Sequence, residues 1–394
     1  MHVAFFDFVT HYGGAPRGTV ELAERLNSRT RVSVIDSYGY CDEYRQAITR
    51  AELEYHILDP NADNVVLGSQ GVSLQRGYRV LRSLRGLMKI QSRLVRLVRR
   101  MKVTVVYSSS YKGLFVMGSS LRLRKLPLVG FVRRWPLPET VPTYSRWLYR
   151  KRCSALFAVS EPTKAALRCL GTAPEKITVL HNPIDGDAWL ARAEKPLETE
   201  LPQPDRPVRL LLPATPLRTK GQHTAVRALK AIVERRVDAV LWLAGDLGVG
   251  GDQSYVSWTK QLATDLGVSD RVEWLGARSD LPQVMKASTM VVLPTHMEGL
   301  PRVLLEAMVL GKPVAATPVG GNLDLILPGV TGQLFEVEDA DGLADCIAWV
   351  ADHPEQAERM AQRAKEYVRT SPRFSPERHT ERALEVFRKL SGGA

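Results

Sequence analysis

Several things are scarce in this 394-residue sequence. It has four cysteines, Cys41, Cys153, Cys169 and Cys346, with no Cys-x-x-Cys pair among them. That excludes a disulfide scaffold and a cysteine zinc site, and free thiols in a reducing cytoplasm are expected. No apolar run approaches the ~18–20 residues of a membrane span. No basic leader precedes the first apolar run, residues 3–9, which reads as a strand rather than a secretory signal. Aromatic residues make up 7% and do not interleave with the basic ones, which argues against nucleic-acid binding. Asp-x-Asp, the triplet by which many metal-dependent enzymes hold a diphosphate, occurs twice, at Asp185-Gly-Asp187 and Asp339-Ala-Asp341. The first lies in a turn and the second at a helix start, where capping explains the acids. No essential metal is therefore expected.

Acid is also scarce in one place. Residues 76–102 hold ten Lys or Arg and no Asp or Glu. Arg76, Arg79, Arg82, Arg85, Lys89, Arg93, Arg96 and Arg100 recur at three- or four-residue steps, one stripe of a helix. Leu81, Leu84, Met88, Val95, Val98 and Met101 supply an opposing apolar face, with a break expected near Gly86. Two readings stand side by side: peripheral contact with an anionic membrane, or a sheet-packed helix with a solvated cationic face. The imbalance extends further. Residues 1–200 contain 31 Lys and Arg against 18 Asp and Glu, while the remainder carries 23 against 24. An anionic partner for the first half and plain compositional bias both account for this.

What is present is an alternation of apolar runs and helical patterns. Residues 2–8, 31–36, 103–107, 128–132 and 155–160 read as strands, as do 208–212, 240–245, 290–293 and 313–316. The first strand runs into His11-Tyr-Gly-Gly-Ala-Pro-Arg-Gly and then a helical pattern, the opening unit of a doubly wound sheet. Residues 38–75 show no clear pattern. Residues 191–207 are rich in Pro and charge and read as a linker. The expected plan is an α/β chain: a first domain over 1–190, the linker 191–207, and a second domain over 208–372. A terminal helix within 373–394 follows, which in folds of this type often returns to the first domain.

The densest motif is VVLPTHMEGLPRVLLEAMVLGKPVAATPVGGNLDLILPGVTGQLFE, residues 291–336. It reads as strand, loop, helix, strand. A loop entering a helix offers free amides and the positive end of the helix dipole, a ready phosphate site. Glu298 lies in the loop. Glu306 lies about two turns into the helix, placed to accept hydrogen bonds from sugar or ribose hydroxyls. Taken singly, the bland reading is a helix-start acid and a solvated helix position.

Taken whole, the stretch resembles the signature of glycosyltransferase family 4, the retaining sugar-nucleotide transferases of the two-domain GT-B fold. The pieces that match are E-G-L-P-x-V-L-L-E-A-M, G-K-P-V-A-A-T, V-G-G and G-x-x-G-x-L. The resemblance implies two Rossmann-like doubly wound domains facing across a cleft, the first for the acceptor and the second for the donor. It implies that Glu298, Gly299, Leu300 and Pro301, with Gly14, meet the donor sugar. Lys220, with Arg218 and the amides of Val303 and Leu304, is expected at the diphosphate. Glu306 is expected at the ribose, and Ala277 and Arg278 at the nucleobase. Gly13 and Arg133 are expected beside the acceptor or leaving group. Two positions depart from the pattern. Thr215 stands where the family carries an arginine, and Arg133 where it commonly has a histidine. Asn182 and Asp185 read as turn-forming side chains.

The function this implies is retaining transfer of a hexose-type sugar from a UDP- or GDP-sugar to a hydroxyl acceptor. The acceptor classes left open are a small molecule, a polysaccharide or a lipid-linked sugar, an anionic one included. Expected location is the cytoplasm, or the inner face of a membrane through 76–102. A same-fold phosphorylase or a non-catalytic sugar-nucleotide binder is the alternative, kept open by Thr215 and Arg133. A nucleic-acid-binding protein is a remote third.

Overall fold

The computed structural model describes residues 1–60, 75–248 and 251–392, with side chains left out for 75–85. By internal contact the chain divides into two units. The first comprises residues 1–159, 163–180 and 379–394, and the second 160–162 and 181–378.

Among the described residues the first unit is built on seven parallel strands: β1 (His2–Asp7), β2 (Arg31–Asp36), β3 (Glu54–Ile57), β4 (Val105–Ser108), β5 (Leu128–Val132), β6 (Ala155–Ala158) and β7 (Ile177–Val179). Their order is β3-β2-β1-β4-β5-β6-β7. The chain order reverses between β1 and β4, which opens a crevice at the carboxyl ends of those two strands. The inner strands, such as β1, β4, β5 and β6, are largely apolar runs because helices cover both faces of a parallel sheet.

The second unit repeats the plan with β8 (Val208–Pro213), β9 (Ala239–Ala244), β10 (Val272–Gly276), β11 (Met290–Leu293), β12 (Val314–Ala316) and β13 (Gln333–Leu334). The order is β10-β9-β8-β11-β12-β13, again all parallel. Its reversal falls between β8 and β11. Residues 181–207 belong with this unit rather than forming a free linker: Trp242 donates to the Pro202 carbonyl at 3.0 Å and Lys286 pairs with Glu194 at 2.6 Å.

The basic stretch forms one unbroken helix, Gln75–Arg100, so Gly86 is no break. Ile90, Leu94, Val95, Val98 and Met101 are buried against the first sheet. Met88, expected on that face, is 68% exposed. At about 100° per residue it lies roughly 200° round the helix from Ile90, away from the core. Lys89 and Arg93 turn inward at the helix edge and pair with the buried Asp59 at 2.8 and 2.9 Å. Burial alone would raise the Asp59 pKa, but these two cations outweigh it and hold the carboxyl below its ordinary range. That much of the stripe is internal glue. The side chains of Arg76, Arg79, Leu81, Arg82, Leu84 and Arg85 lie outside the described residues.

The final helix, Pro376–Leu390, packs on the first sheet. Its Phe387 is fully buried, with ring centroids 6.5 Å from Phe5, 6.4 Å from Tyr107 and 5.8 Å from Phe157. Such edge-to-face clusters fasten a terminal segment by dense apolar contact.

Candidate active site

In the second unit, two loops leave the carboxyl ends of β8 and β11, on either side of the strand-order reversal. The loop after β8 ends in a short helical turn, Arg218–Lys220, and Gly221 in the left-handed region at φ +71°. A Cβ at Gly221 would stand 1.9 Å from the Pro294 carbonyl oxygen, so only glycine lets the two loops approach this closely. The Thr219 carbonyl accepts from the Thr295 hydroxyl and from the His296 amide, both at 2.9 Å. The loops are thereby locked in register. Lys220 Nζ forms an ion pair with the Glu298 carboxylate. Arg218 lies outside this pair, exposed, with its guanidinium 5.3 Å from the Trp258 ring centre.

Behind Glu298, Gly299 and Leu300 are buried, and Pro301 precedes the helix Arg302–Val309. No side chain caps that helix, so the amide ends around Val303 and Leu304 point toward the loops with no side-chain acceptor supplied. The Leu300 carbonyl accepts from Asn182 at 2.8 Å. Asn182 is thus more than a turn former, because it fixes the Gly-Leu-Pro loop from 118 residues away. A Cβ at Gly321 would meet the Gly299 carbonyl oxygen at 2.0 Å, so the Val319-Gly320-Gly321 turn is pressed against the same loop. Glu306 is buried at 6% exposure, which removes the reading of a solvated helix acid.

Arg278 stands elsewhere. Its guanidinium is paired with the buried Asp280 at 2.6 Å and donates to the Thr199 carbonyl at 2.9 Å. It is committed to fastening 191–207, which leaves Ala277, exposed at the end of β10, as the nearer candidate beside a base. The two Asp-x-Asp triplets are occupied as caps. Asp185 accepts from the Ala188 amide at 2.9 Å and Asp339 from Gly342 at 2.8 Å.

In the first unit the reversal between β1 and β4 holds a cavity of about 500 Å³. Its floor is Asp7, at the end of β1. The buried Asp7 carboxylate accepts from the Ser108 and Ser109 hydroxyls, both at 2.9 Å, and from the Ser109 and Ser110 amides at 3.2 and 3.0 Å. Burial pushes its pKa up, and these four donors oppose that. One wall is the start of the helix Gly14–Asn27, where Gly13 takes the capping position with no side-chain oxygen to offer. A Cβ at Gly13 would meet only the His11 ring, at 3.3 Å. Arg133, Arg134 and Lys112 form a cationic wall. Arg133 is half-buried rather than solvated, with its guanidinium 4.1 Å from the Phe131 ring centre and 3.3 Å from the Tyr107 hydroxyl.

Two family models match the chain: Glycosyltransferase Family 4 over residues 12–188, and Glycosyl transferases group 1 over residues 198–367. The chain belongs to glycosyltransferase family 4. This family 4 chain is 26% identical over 278 residues to the UDP-Gal:alpha-D-GlcNAc-diphosphoundecaprenol alpha-1,3-galactosyltransferase of Escherichia coli, covering 67% of the chain and 70% of that protein. It is 33% identical over 177 residues to the D-inositol 3-phosphate glycosyltransferase of Saccharomonospora viridis, spanning 43% of the chain and only 40% of that relative. Among solved structures, Anabaena Alr3699/HepE in complex with UDP superposes with a TM-score of 0.81 at 22% identity, covering 99% of this chain and 100% of that one. The likeness shows that the family 4 chain has the GT-B fold of two doubly wound parallel-sheet units.

Sequence reasoning missed Asp7 and the basic side chains Lys112 and Arg134. An Asp closing an apolar strand was the available signal for the first. For Arg134 the signal was its place directly after Arg133; nothing local marks Lys112, which reaches the cavity only through the fold. It also missed the approach of His223, His296 and Glu338, three residues far apart in sequence.

Proposed function

We propose that this family 4 glycosyltransferase moves a hexose from a UDP-sugar to a hydroxyl acceptor in the cytoplasm, with retention at the anomeric carbon and without an essential metal. The observation that carries the reading is the Lys220–Glu298 pair beside the uncapped start of the helix Arg302–Val309, with Glu306 buried about one turn into it. On sugar-nucleotide binding, Lys220 turns from the carboxylate to the diphosphate, aided by the amides near Val303 and Leu304. Glu298, released, accepts from the sugar hydroxyls. Glu306 accepts from the ribose. Negative charge building on the leaving diphosphate meets a cation and a helix dipole instead of a metal ion. UDP is favoured over GDP because the E. coli relative is named for UDP-Gal and the Anabaena protein binds UDP.

The acceptor falls to the cavity of the first unit. Arg133, Arg134 and Lys112 suit an anionic group on the acceptor. Retention is carried over with the family; among the described residues no isolated carboxylate stands out as an enzymic nucleophile.

The test is a transfer assay with UDP-glucose, UDP-galactose, UDP-GlcNAc and GDP-mannose, with phosphorylated and neutral acceptors, in EDTA. Nucleoside diphosphate release from a UDP-sugar, dependent on acceptor, with an α-linked product by NMR, supports the reading. Sugar phosphate formed only when inorganic phosphate is added means a phosphorylase instead.

A further inference from the structure

Beside the donor loops sits a second cluster with no part in the reaction described above. His223, His296 and Glu338 bring one potential ligand atom each to within 4.8 Å of one another. They come from three segments: the first turn of the helix Gln222–Glu234, the loop after β11, and the turn that follows β13. His223 Nε2 lies 2.9 Å from both Glu338 oxygens, and His296 Nε2 lies 3.0 Å from Glu338 Oε1. The His296 contact lacks hydrogen-bond geometry, leaving that buried nitrogen without a hydrogen-bond partner.

We propose that His223, His296 and Glu338 form a binding site for a transition-metal ion of the zinc class. Two imidazoles and a carboxylate are the ligand set of three-coordinate zinc sites that keep a fourth position for water. Imidazole nitrogen favours Zn²⁺, Ni²⁺ or Co²⁺ over Mg²⁺ or Ca²⁺. At metal–ligand distances of about 2.0–2.2 Å, donors around one tetrahedral ion lie roughly 3.3 Å apart. The two histidine–glutamate separations, 2.9–3.0 Å, need only a few tenths of an ångström of opening, while the two imidazole nitrogens lie within 4.8 Å of each other and close onto the ion.

Two further observations point the same way. His223 is 1% exposed, and its other nitrogen, Nδ1, lies 2.7 Å from the Tyr255 hydroxyl. This contact orients the ring, and with Nδ1–H donating to the Tyr255 oxygen, Nε2 is left to bind a metal, an outer support common to metal-bound histidines. Glu338 adopts φ +63°, in the left-handed region, where a non-glycine residue costs about 1 kcal/mol or more. Its carboxylate is turned onto both histidines, and Thr224 donates to it at 3.3 Å. Arg227, at 3.9 Å, is the one competing cation among the described contacts.

An ion here would clamp three segments. His296 is two residues from Glu298, and its amide already holds the Thr219 carbonyl next to Lys220. The site stiffens the donor loops without touching diphosphate, and it stands whether or not the transfer reaction is as proposed.

The test uses the full chain with any affinity tag removed, stripped with EDTA and dialysed. ZnCl₂, NiCl₂ and MgCl₂ are titrated by calorimetry and thermal shift. The expected result is one equivalent of Zn²⁺ bound at about micromolar Kd or tighter, raising the melting temperature by several degrees. Glu338→Gln and His296→Asn, both at solvent-accessible positions, should each weaken binding roughly tenfold or more. An anomalous peak at the zinc edge between the three side chains would locate the ion independently of any variant. Absence of saturable one-to-one binding, equal binding in both variants, or an equal shift with Mg²⁺ would overturn the proposal.

Discussion

Lys220 and Glu298 face each other across the strand-order reversal of the second sheet, joined as an ion pair with side chains 26% and 13% exposed. In the proposed reaction each is the partner the other gives up when a sugar nucleotide enters. The cation on the diphosphate and the carboxylate on the sugar hydroxyls would then make separable contributions. Lys220→Met should weaken UDP binding by about 10–100-fold, the worth of a charged hydrogen bond of roughly 1.5–3 kcal/mol. Glu298→Gln should leave UDP affinity within about threefold and lower kcat with the intact UDP-sugar. Calorimetry with UDP and steady-state kinetics separate the two. A Glu298→Gln enzyme with normal kcat would remove that residue from the sugar.

Arg133 is expected to act on the acceptor alone. Arg133→Met keeps an apolar stem over Phe131, 4.1 Å below the native guanidinium, and removes the charge. With a phosphorylated acceptor, kcat/KM should fall roughly tenfold or more while UDP affinity holds. If neutral and phosphorylated acceptors lose equally, the cationic wall reads no charge.

Much of the second unit's fold could be read from sequence, because the loops after β8 and β11 are local. Glu298, Gly299, Leu300, Pro301 and Glu306 lie within nine consecutive residues, and the strand Met290–Leu293 before them was placed to the residue. Contacts spanning the fold could not be read. Arg278 pairs two residues away yet also reaches Thr199, and that second bond is what ties it to 191–207. The strand Glu54–Ile57 escaped because an edge strand of four half-buried residues carries no apolar run. The basic helix misled by its regularity: the 3.6-residue stripe was real, but Lys89 and Arg93 proved to serve a buried acid contributed by another segment.

That acid gives a pH signature. The folded Asp59 pKa lies below the ordinary value of about 3.9, so its pairing stabilises the fold above that value. The contribution is lost as pH falls through the folded pKa. Asp59→Asn should therefore lower the melting temperature by a few degrees at pH 7. The gap from the native protein should narrow as pH falls past the ordinary carboxylate value and close once pH is below the folded pKa. A gap that stays constant with pH would mean the loss is packing rather than charge.

The return of the last helix to the first sheet rests on Phe387. Phe387→Ala should cost about 3–5 kcal/mol, read as a lower denaturant midpoint for the first unit. UDP binding by the second unit should persist. Loss below about 1 kcal/mol would mean that the helix is held by its other contacts.

In the proposed reaction the buried Glu306 reads the ribose of a nucleotide donor held by the second unit. The most direct test is calorimetric titration of UDP and of 2′,3′-dideoxy-UDP into the native protein and Glu306→Gln. The native protein should prefer UDP by roughly tenfold or more, and the variant should bind both about equally, because the carboxylate and the hydroxyls form one interaction. Native-like preference for UDP in Glu306→Gln would contradict the account.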